Sequence, residues 1–129
     1  MELTVWVDDW QMQCCGTPFS IGSPVSWTLV DADKEWLADV VGADAADRVD
    51  GAEEHHGGAG EAAETRATVA GISAVHCRYA PRPGGSDTTR HPVPGSGTLT
   101  ALTSADGWTP DDGERQFCGY LVELTGAHR

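Results

Sequence analysis

Basic side chains are scarce in this sequence. It has 8 lysines and arginines against 20 aspartates and glutamates in 129 residues, a formal net charge of −12 at pH 7. Such a chain repels the phosphate groups of nucleic acids, so basic proteins or metal cations are the more favourable guests. The sequence also lacks a basic segment followed by an apolar leader, and no apolar run is long enough to cross a membrane. We therefore expect a cytoplasmic protein that does not bind membranes, and the charge disfavours non-specific binding of nucleic acids.

Familiar catalytic motifs are missing as well. There is no P-loop, dinucleotide-binding, Gly-x-Ser-x-Gly, His-Glu-x-x-His or EF-hand pattern. The 4 cysteines include no Cys-x-x-Cys pair of the kind found in zinc ribbons and thioredoxins. In a cytoplasmic protein these cysteines are expected to be reduced thiols. These absences favour a non-catalytic protein over an enzyme.

Segments rich in valine, threonine and tryptophan predict a mainly-β fold. Residues 33–41 are the exception, because Asp33 provides a helix cap and Trp36 with Val40 begins an apolar stripe at i, i+4 spacing. Gly71, inside the third predicted strand, indicates a bulge or a sharp bend. The predicted strands are residues 3–13, 19–30, 67–79, 98–103 and 115–125.

The chain has the length of one domain, and we assign residues 1–129 to it. About five strands with one short helix predict a small SH3-like or OB-like barrel. Residues 43–64 contain seven acidic residues and one arginine, and with little to bury they predict a flexible acidic loop. Residues 81–97 are rich in proline and glycine and predict a second, irregular loop.

Cysteine and histidine side chains are the candidates for metal or thiol chemistry. Zinc accepts mixed sulfur and nitrogen ligands, so a barrel that brings them together could hold it. Strand neighbours point to opposite faces, so at most one residue of each adjacent pair can join a single site. The same side chains could instead be small apolar groups of the core, or a cysteine nucleophile with a histidine base. The candidate metal ligands are Cys14, Cys15, His76, Cys77 and Cys118, and the candidate dyad is Cys14 or Cys15 with His76.

Exposed aromatic residues and nearby acids are the candidates for partner binding. Asp8, Asp9 and Trp10 follow one another near the end of the first predicted strand. Trp108 lies in a turn-rich segment, where it could anchor a peptide or fold back over one end of the barrel. We therefore select Asp8, Asp9, Trp10 and Trp108 as candidate partner-binding residues.

The two adjacent carboxylates are poor candidates for acid–base catalysis. In a strand Asp8 and Asp9 point away from each other, so they would not form a pair. One of them must face the more apolar side, where a buried carboxylate needs a partner. We consider Arg78, Arg115 or a tryptophan indole N–H for that role.

Several short runs resemble a family of small uncharacterised actinobacterial proteins. The resemblance covers nearly all of the chain outside the acidic loop, and the Trp-Val-Asp-Asp-Trp-Gln run is its most specific part. It implies a bacterial, cytoplasmic protein and supplies no activity and no catalytic residues. The runs that carry it are residues 5–16, Pro18-Phe19, Trp27, His76-Cys77-Arg78-Tyr79 and residues 119–124.

The function expected from these patterns is a non-catalytic module that binds a protein or peptide partner, assisted by the acidic loop. A metal- or thiol-dependent protein that uses the cysteines and His76 is the alternative. Oligonucleotide binding on an OB-like face is the third possibility, because the second half of the chain has five arginines between residues 66 and 115. They are Arg66, Arg78, Arg82, Arg90 and Arg115.

Overall fold

The structure is a computed structural model that describes residues 2–14, 16–54, 64–81 and 89–128. Within these ranges the chain is mainly β, as the sequence predicts, and its largest sheet curls into a half-barrel. Eleven strands and three helices are described, more than the five strands and single helix expected.

The helices are α1 Asp9–Cys14, α2 Lys34–Val41 and α3 Ala43–Asp47. The strands are β1 Leu3–Asp8, β2 Phe19–Ser20, β3 Pro24–Trp27, β4 Leu29–Val30, β5 Gly51–Glu53, β6 Thr65–Cys77, β7 Tyr79–Pro81, β8 Arg90–Pro92, β9 Thr98–Leu102, β10 Ser104–Ala105 and β11 Gln116–His128.

The main sheet has seven strands in the order β3-β6-β11-β1-β5-β4, with β9 also paired to β6. Its long central pair, β6 and β11, is antiparallel. The β1–β5 pair is parallel, with Val5 opposite Gly51 and Trp6 opposite Ala52. Strands β1 and β5 therefore end at the same edge of the sheet, which places the residues that follow them side by side.

Both faces of the main sheet are buried, each by a different set of residues. Val5, Val7 and Tyr120 belong to the core inside the half-barrel. Trp6 points the other way and packs with Leu37 of α2 in a second core beneath the helices. The alternation of side chains along β1 explains why the strand is apolar at nearly every position.

Register shifts interrupt the β6–β11 pairing at three places, the last of them between Thr125 and His128. The register shifts at the point where Gly71 pairs with Glu123 and Val69 with Leu124, which confirms the bulge predicted near Gly71. A second shift lies between Phe117 and Gly119. The extra residue there, Cys118, reaches the second core.

The first predicted strand is too long. The structure ends it at Asp8 and continues as α1, in which Gln11 and Met12 are buried. Beyond residue 8 the β-branched residues stop, and Gln and Met are good helix formers. The Gly16 amide donates to the Gln11 carbonyl at 2.9 Å, which closes the end of this turn.

The predicted acidic loop is wrong for residues 43–53, which form α3 and β5. Val49 is buried, and the Asp50 amide donates to the Thr4 carbonyl at 2.7 Å, so this segment does have something to pack against. Residues 55–63 lie outside the described part of the chain. The second predicted loop contains the short strands β7 and β8 at its ends, and residues 82–88 are likewise not described.

The helix predicted over residues 33–41 is confirmed as α2. The Trp36 amide donates to the Asp33 carboxylate at 3.1 Å, as expected of a helix cap. Gly42, with φ 92°, ends the helix in a conformation that glycine adopts readily. None of the described helices is long and apolar enough to span a membrane.

Candidate functional site

A cavity of about 520 Å³ opens at the sheet edge where the parallel strands β1 and β5 both end. The start of α1 and the start of α2 complete its walls. We call it the acidic cavity. Its lining residues are Trp6, Asp8, Asp9, Trp10, Gln11, Val30, Asp31, Asp33, Trp36, Leu37, Ala52, Glu53, Glu54, Tyr79 and Cys118.

Six carboxylates line the acidic cavity, and no described lysine or arginine does. They come from three places in the chain that the fold brings together. Asp8 ends β1 and Asp9 follows it, Glu53 ends β5 and Glu54 follows it, and the turn before α2 contributes Asp31 and Asp33. The cavity is therefore a concentration of negative charge in a chain that is already acidic.

Aromatic rings form the other part of the wall. Trp6 and Trp36 pack edge to face, with ring centroids 5.6 Å apart. Trp6 is buried and Trp36 half-buried, whereas Trp10 on α1 is 51% exposed. Tyr79, also half-buried, comes from β7. Together these rings give the cavity flat apolar surfaces next to its carboxylates.

Asp8 is held by the tryptophan two residues before it. The Trp6 indole N–H donates to the Asp8 carboxylate at 2.7 Å. Of the partners considered from the sequence, the tryptophan indole is therefore the one that binds Asp8. Burial raises the pKa of Asp8 above its ordinary value, the Trp6 hydrogen bond opposes this, and the charge of Glu54 adds to the increase. The Asp8 carboxylate is therefore partly desolvated and lies in a negative field.

Glu53 is the most deeply buried acid of the cavity, with 2% of its surface exposed. Burial raises its pKa to about 7, and the charges of Glu54 and Asp8 contribute further. The Gln11 side-chain amide bridges this region, because it donates to the Glu53 carbonyl at 3.3 Å and to the Glu54 carboxylate at 3.2 Å. Strand β5 and helix α1 are thereby joined at the cavity.

Asp9 begins α1 and shares the same field. Burial raises the pKa of Asp9, while the hydrogen bond from the Trp10 amide to its carboxylate, at 2.7 Å, lowers it. The charges of Asp8 and Asp111 raise it further. Because the chain turns from strand to helix here, Asp8 and Asp9 line one cavity instead of diverging as a continuous strand would require.

Two cysteines meet at one side of the acidic cavity. The Sγ atoms of Cys77, at the end of β6, and Cys118, at the bulge of β11, are 3.2 Å apart. Both are free thiols and both are buried, but only Cys118 lines the cavity. Hydrogen bonding to Cys118 lowers the pKa of Cys77, and the same pairing raises the pKa of Cys118.

The other candidate metal ligands are elsewhere or outside the described residues. His76 lies across the sheet from Cys77, near Phe117, and its Nε2 atom is 2.8 Å from the Pro110 carbonyl. Cys14 is exposed at the end of α1, and Cys15 is not described. The described part of the chain contains no group of three or more His, Cys, Asp or Glu side chains arranged to hold a metal ion.

Three of the four candidate partner-binding residues lie at the acidic cavity, and the fourth does not. Asp8, Asp9 and Trp10 all line the acidic cavity. Trp108 is 66% exposed and is not among the lining residues. It follows Gly107, whose carbonyl accepts a hydrogen bond from the Gln13 side chain at 2.9 Å, so its loop is attached to α1 away from the cavity.

Sequence patterns alone missed half of the cavity. Glu53 and Glu54 belong to a segment predicted to be a loop, and the parallel pairing of β5 with β1, which places them here, spans more than forty residues of chain. Asp33 and Trp36 were identified only as features of a helix. The available signal was the low-complexity segment itself, in which Val49 and Ala52 are apolar positions shortly before two glutamates.

The arrangement is suited to binding a cation. Carboxylates attract it, and aromatic faces stabilise a cation placed over them. No described histidine lines the cavity, and its one thiol is beside another thiol, so the lining contains no cysteine–histidine pair.

No curated protein and no solved structure matches this chain in the comparisons. A family model does match, over nearly the whole length. The chain belongs to the family of unknown function DUF6578, whose model covers residues 1–126.

Proposed function

We propose that this protein is a non-catalytic binding module whose acidic cavity receives an arginine side chain of a basic protein or peptide partner. The observation that carries the proposal is the composition of the cavity wall, which combines six carboxylates with four aromatic rings. A cavity of about 520 Å³ is large enough for one long side chain and part of the peptide that carries it.

The electrostatics favour a positively charged guest. The charges of neighbouring acids contribute to the raised pKa values of Asp8, Asp9 and Glu53. A bound cation would relieve this mutual repulsion, so binding and ionisation of these acids would support each other. The net charge of −12 would also speed the approach of a basic partner.

The aromatic rings favour arginine over lysine. A guanidinium is planar, stacks on aromatic faces and pairs with carboxylates through two parallel hydrogen bonds. Trp10 offers an exposed ring beside Asp9, and Trp36 offers a second, half-buried one. An ammonium group would gain the charge attraction but little of the stacking.

Neither of the other candidate functions explains this cavity as well. The carboxylates would repel the phosphates of an oligonucleotide. Binding of zinc or another metal cation stays a proposal. It rests on the candidate ligands Cys14, Cys15, His76, Cys77 and Cys118. The 3.2 Å separation of Cys77 and Cys118 supports thiol chemistry as the second candidate function.

The remaining sequence-based expectations belong to the same proposal. A cytoplasmic location would keep the thiols reduced and give access to basic intracellular partners. The bacterial, actinobacterial origin rests on the resemblance of the opening residues alone. The likeness to SH3-like and OB-like barrels is supported by a curled β-sheet that presents a binding cavity at its edge.

A pair of fluorescein-labelled peptides tests the proposal. One carries three arginines in a glycine–serine background, and the other carries citrulline, the neutral analogue of the same shape, at the same positions. Fluorescence anisotropy should show binding of the arginine peptide at low ionic strength, weakening of it by added salt, and at least tenfold weaker binding of the citrulline peptide. Equal affinity for the two peptides, or no binding of either, would contradict the proposal.

Two variants with the same charge change locate the binding. Asp31→Asn removes an exposed acid of the cavity wall, whereas Asp44→Asn removes an exposed acid of α3 outside it. Each makes the net charge less negative by one, so long-range attraction falls equally. We expect Asp31→Asn to weaken the arginine peptide at least threefold more than Asp44→Asn does. Equal losses would show attraction by net charge alone.

A further inference from the structure

The pairing of β6 with β11 brings two cysteines together. Along β6, His76 pairs with Phe117, and Cys77 pairs with Gln116. Cys118 is two residues beyond Gln116 on β11, so its side chain points to the same face of the sheet as that of Cys77. The register shift after Phe117 makes Cys118 an extra residue, and its side chain enters the core that contains Cys77.

The two thiols differ in access. Cys77 is completely buried, with 0% of its surface exposed, whereas Cys118 retains 4% and lines the acidic cavity. A small reagent that enters the cavity therefore meets Cys118 first. The cavity serves as the route to a pair that is otherwise enclosed by the sheet and α2.

Hydrogen bonding within the pair favours the loss of one of its two protons. The hydrogen bond from Cys118 and a second one from Tyr79 lower the pKa of Cys77, although burial opposes them. The same Cys118 hydrogen can instead be donated to the Gln116 carbonyl, which lies 3.3 Å from the sulfur. When the pair loses one proton, the other stays between two sulfurs 3.2 Å apart and can be transferred from one to the other.

We propose that Cys77 and Cys118 form a redox site in which hydrogen peroxide, entering through the acidic cavity, converts the two thiols into a disulfide that thiol reductants reverse. The two Sγ atoms are already close enough for the bond to form with a small movement of either side chain. This site does not depend on peptide binding in the cavity.

The reaction balances in two steps. After the pair has released one proton, the Cys118 hydrogen passes to the Cys77 sulfur 3.2 Å away, which leaves Cys118 as the thiolate. The Cys118 thiolate attacks one oxygen of the peroxide, so that an S–O bond forms and the O–O bond breaks. The departing hydroxide takes up the proton that the pair released and leaves as water. The Cys77 sulfur then attacks the Cys118 sulfenic acid, forming the S–S bond and breaking the S–O bond, and the second hydroxide takes the Cys77 proton. Two thiols and one peroxide give one disulfide and two waters, and the sulfurs lose the two electrons that the peroxide oxygens gain.

The test uses the folded Cys14→Ser/Cys15→Ser variant, which leaves only the pair. It is treated with hydrogen peroxide, unfolded, alkylated and analysed by mass spectrometry. We expect a product that has lost two hydrogens, carries no alkyl group and yields a peptide linking residues 77 and 118. Dithiothreitol should restore both thiols. The linked product should exceed sulfinic acid at either position by at least about tenfold, because a resolving thiol is adjacent.

A second variant identifies the roles of the two sulfurs. With Cys77→Ser, Cys118 should stop at the sulfenic acid, which dimedone traps. Two results would overturn the proposal: both thiols still alkylated after peroxide treatment, or Cys118 over-oxidised while Cys77 remains a thiol. Peptide mapping of the wild-type protein gives the same information if a variant does not fold, since the link between residues 77 and 118 is identified directly.

Discussion

The two faces of the main sheet use the same strands but are covered differently. The inner face of the half-barrel is closed by the strands themselves and holds mainly apolar side chains, with Val7, Tyr120, Val122 and Leu124 fully buried. The outer face is covered by α2 and α3, which are short, and its core extends to the acidic cavity. An incomplete helical cover leaves room for polar groups at the sheet edge.

The contrast separates what stabilises the fold from what is available for function. The acids with raised pKa values, Asp8, Asp9 and Glu53, lie at the edge of the outer face. Cys77 and Cys118 are on that face too, whereas the inner face offers His76 near Phe117. We therefore expect changes inside the half-barrel to alter stability and changes at the cavity to alter binding.

The largest effect is expected from truncation inside the half-barrel. Leu124 is buried to 1% exposure on β11, so Leu124→Ala should lower the free energy of unfolding by about 3 kcal/mol through lost burial and an unfilled cavity. Urea denaturation measures the loss. Leu99→Ala on β9, where the side chain is 51% exposed, is the control and should cost less than about 0.5 kcal/mol. Equal losses would show that the inner face is not the main core.

A smaller effect of opposite sign is expected at Glu53. Its pKa rises from 4.5 to about 7 on folding, so the native state holds a proton that the unfolded chain has released. Stability contributed by this proton is present at low pH and is lost as pH rises through about 7. Glu53→Gln should therefore raise the free energy of unfolding by about 2 kcal/mol at pH 8.5 and change it little at pH 4.5.

The same substitution connects stability with binding. The ionised Glu53 carboxylate attracts the guest, so the affinity of the wild-type protein for the arginine peptide should rise between pH 5.5 and 8.5, and that of Glu53→Gln should rise less. Urea titrations and anisotropy at each pH measure the two quantities. A variant that is less stable at pH 8.5 than the wild type would show that Glu53 serves mainly the fold.

Local signals in the sequence predicted the elements that depend on local contacts. Asp33 and the i, i+4 stripe defined α2, and the apolar alternation along Val5, Trp6 and Val7 indicated a strand buried on both faces. Both rest on interactions within a few residues. Gly71 also indicated a bulge, because a glycine inside a strand is itself a local signal.

Features that depend on distant pairing were not predictable in this way. Strand β5 forms because residues 51–53 pair with β1 and β4. No pattern within the acidic segment of residues 43–64 indicates that pairing. The strand-to-helix change at Asp9 was missed because tryptophan favours strands while Gln and Met favour helices. The contact between Cys77 and Cys118 likewise depends on the pairing of β6 with β11, which are distant in the chain, and no local pattern indicates it.

The smallest effect is expected from replacing one of two exposed tryptophans. The sequence alone makes both of them candidates for partner binding. Trp10 is 51% exposed and lines the cavity, and Trp108 is 66% exposed and does not. Removing a ring that stacks on a bound guanidinium should cost about 1.4 kcal/mol, a tenfold loss of affinity. Trp10→Ala should therefore weaken the arginine peptide about tenfold, whereas Trp108→Ala should change its affinity less than about twofold.

The comparison is decisive because the two substitutions are chemically identical. Each removes one exposed indole, leaves the net charge at −12 and spares both cores. Circular dichroism and urea titration should show that both variants remain folded, so that a difference in anisotropy reports the cavity alone. If Trp108→Ala caused the larger loss, the partner would bind on the loop beside α1, and the outer face would provide only the charge that attracts it.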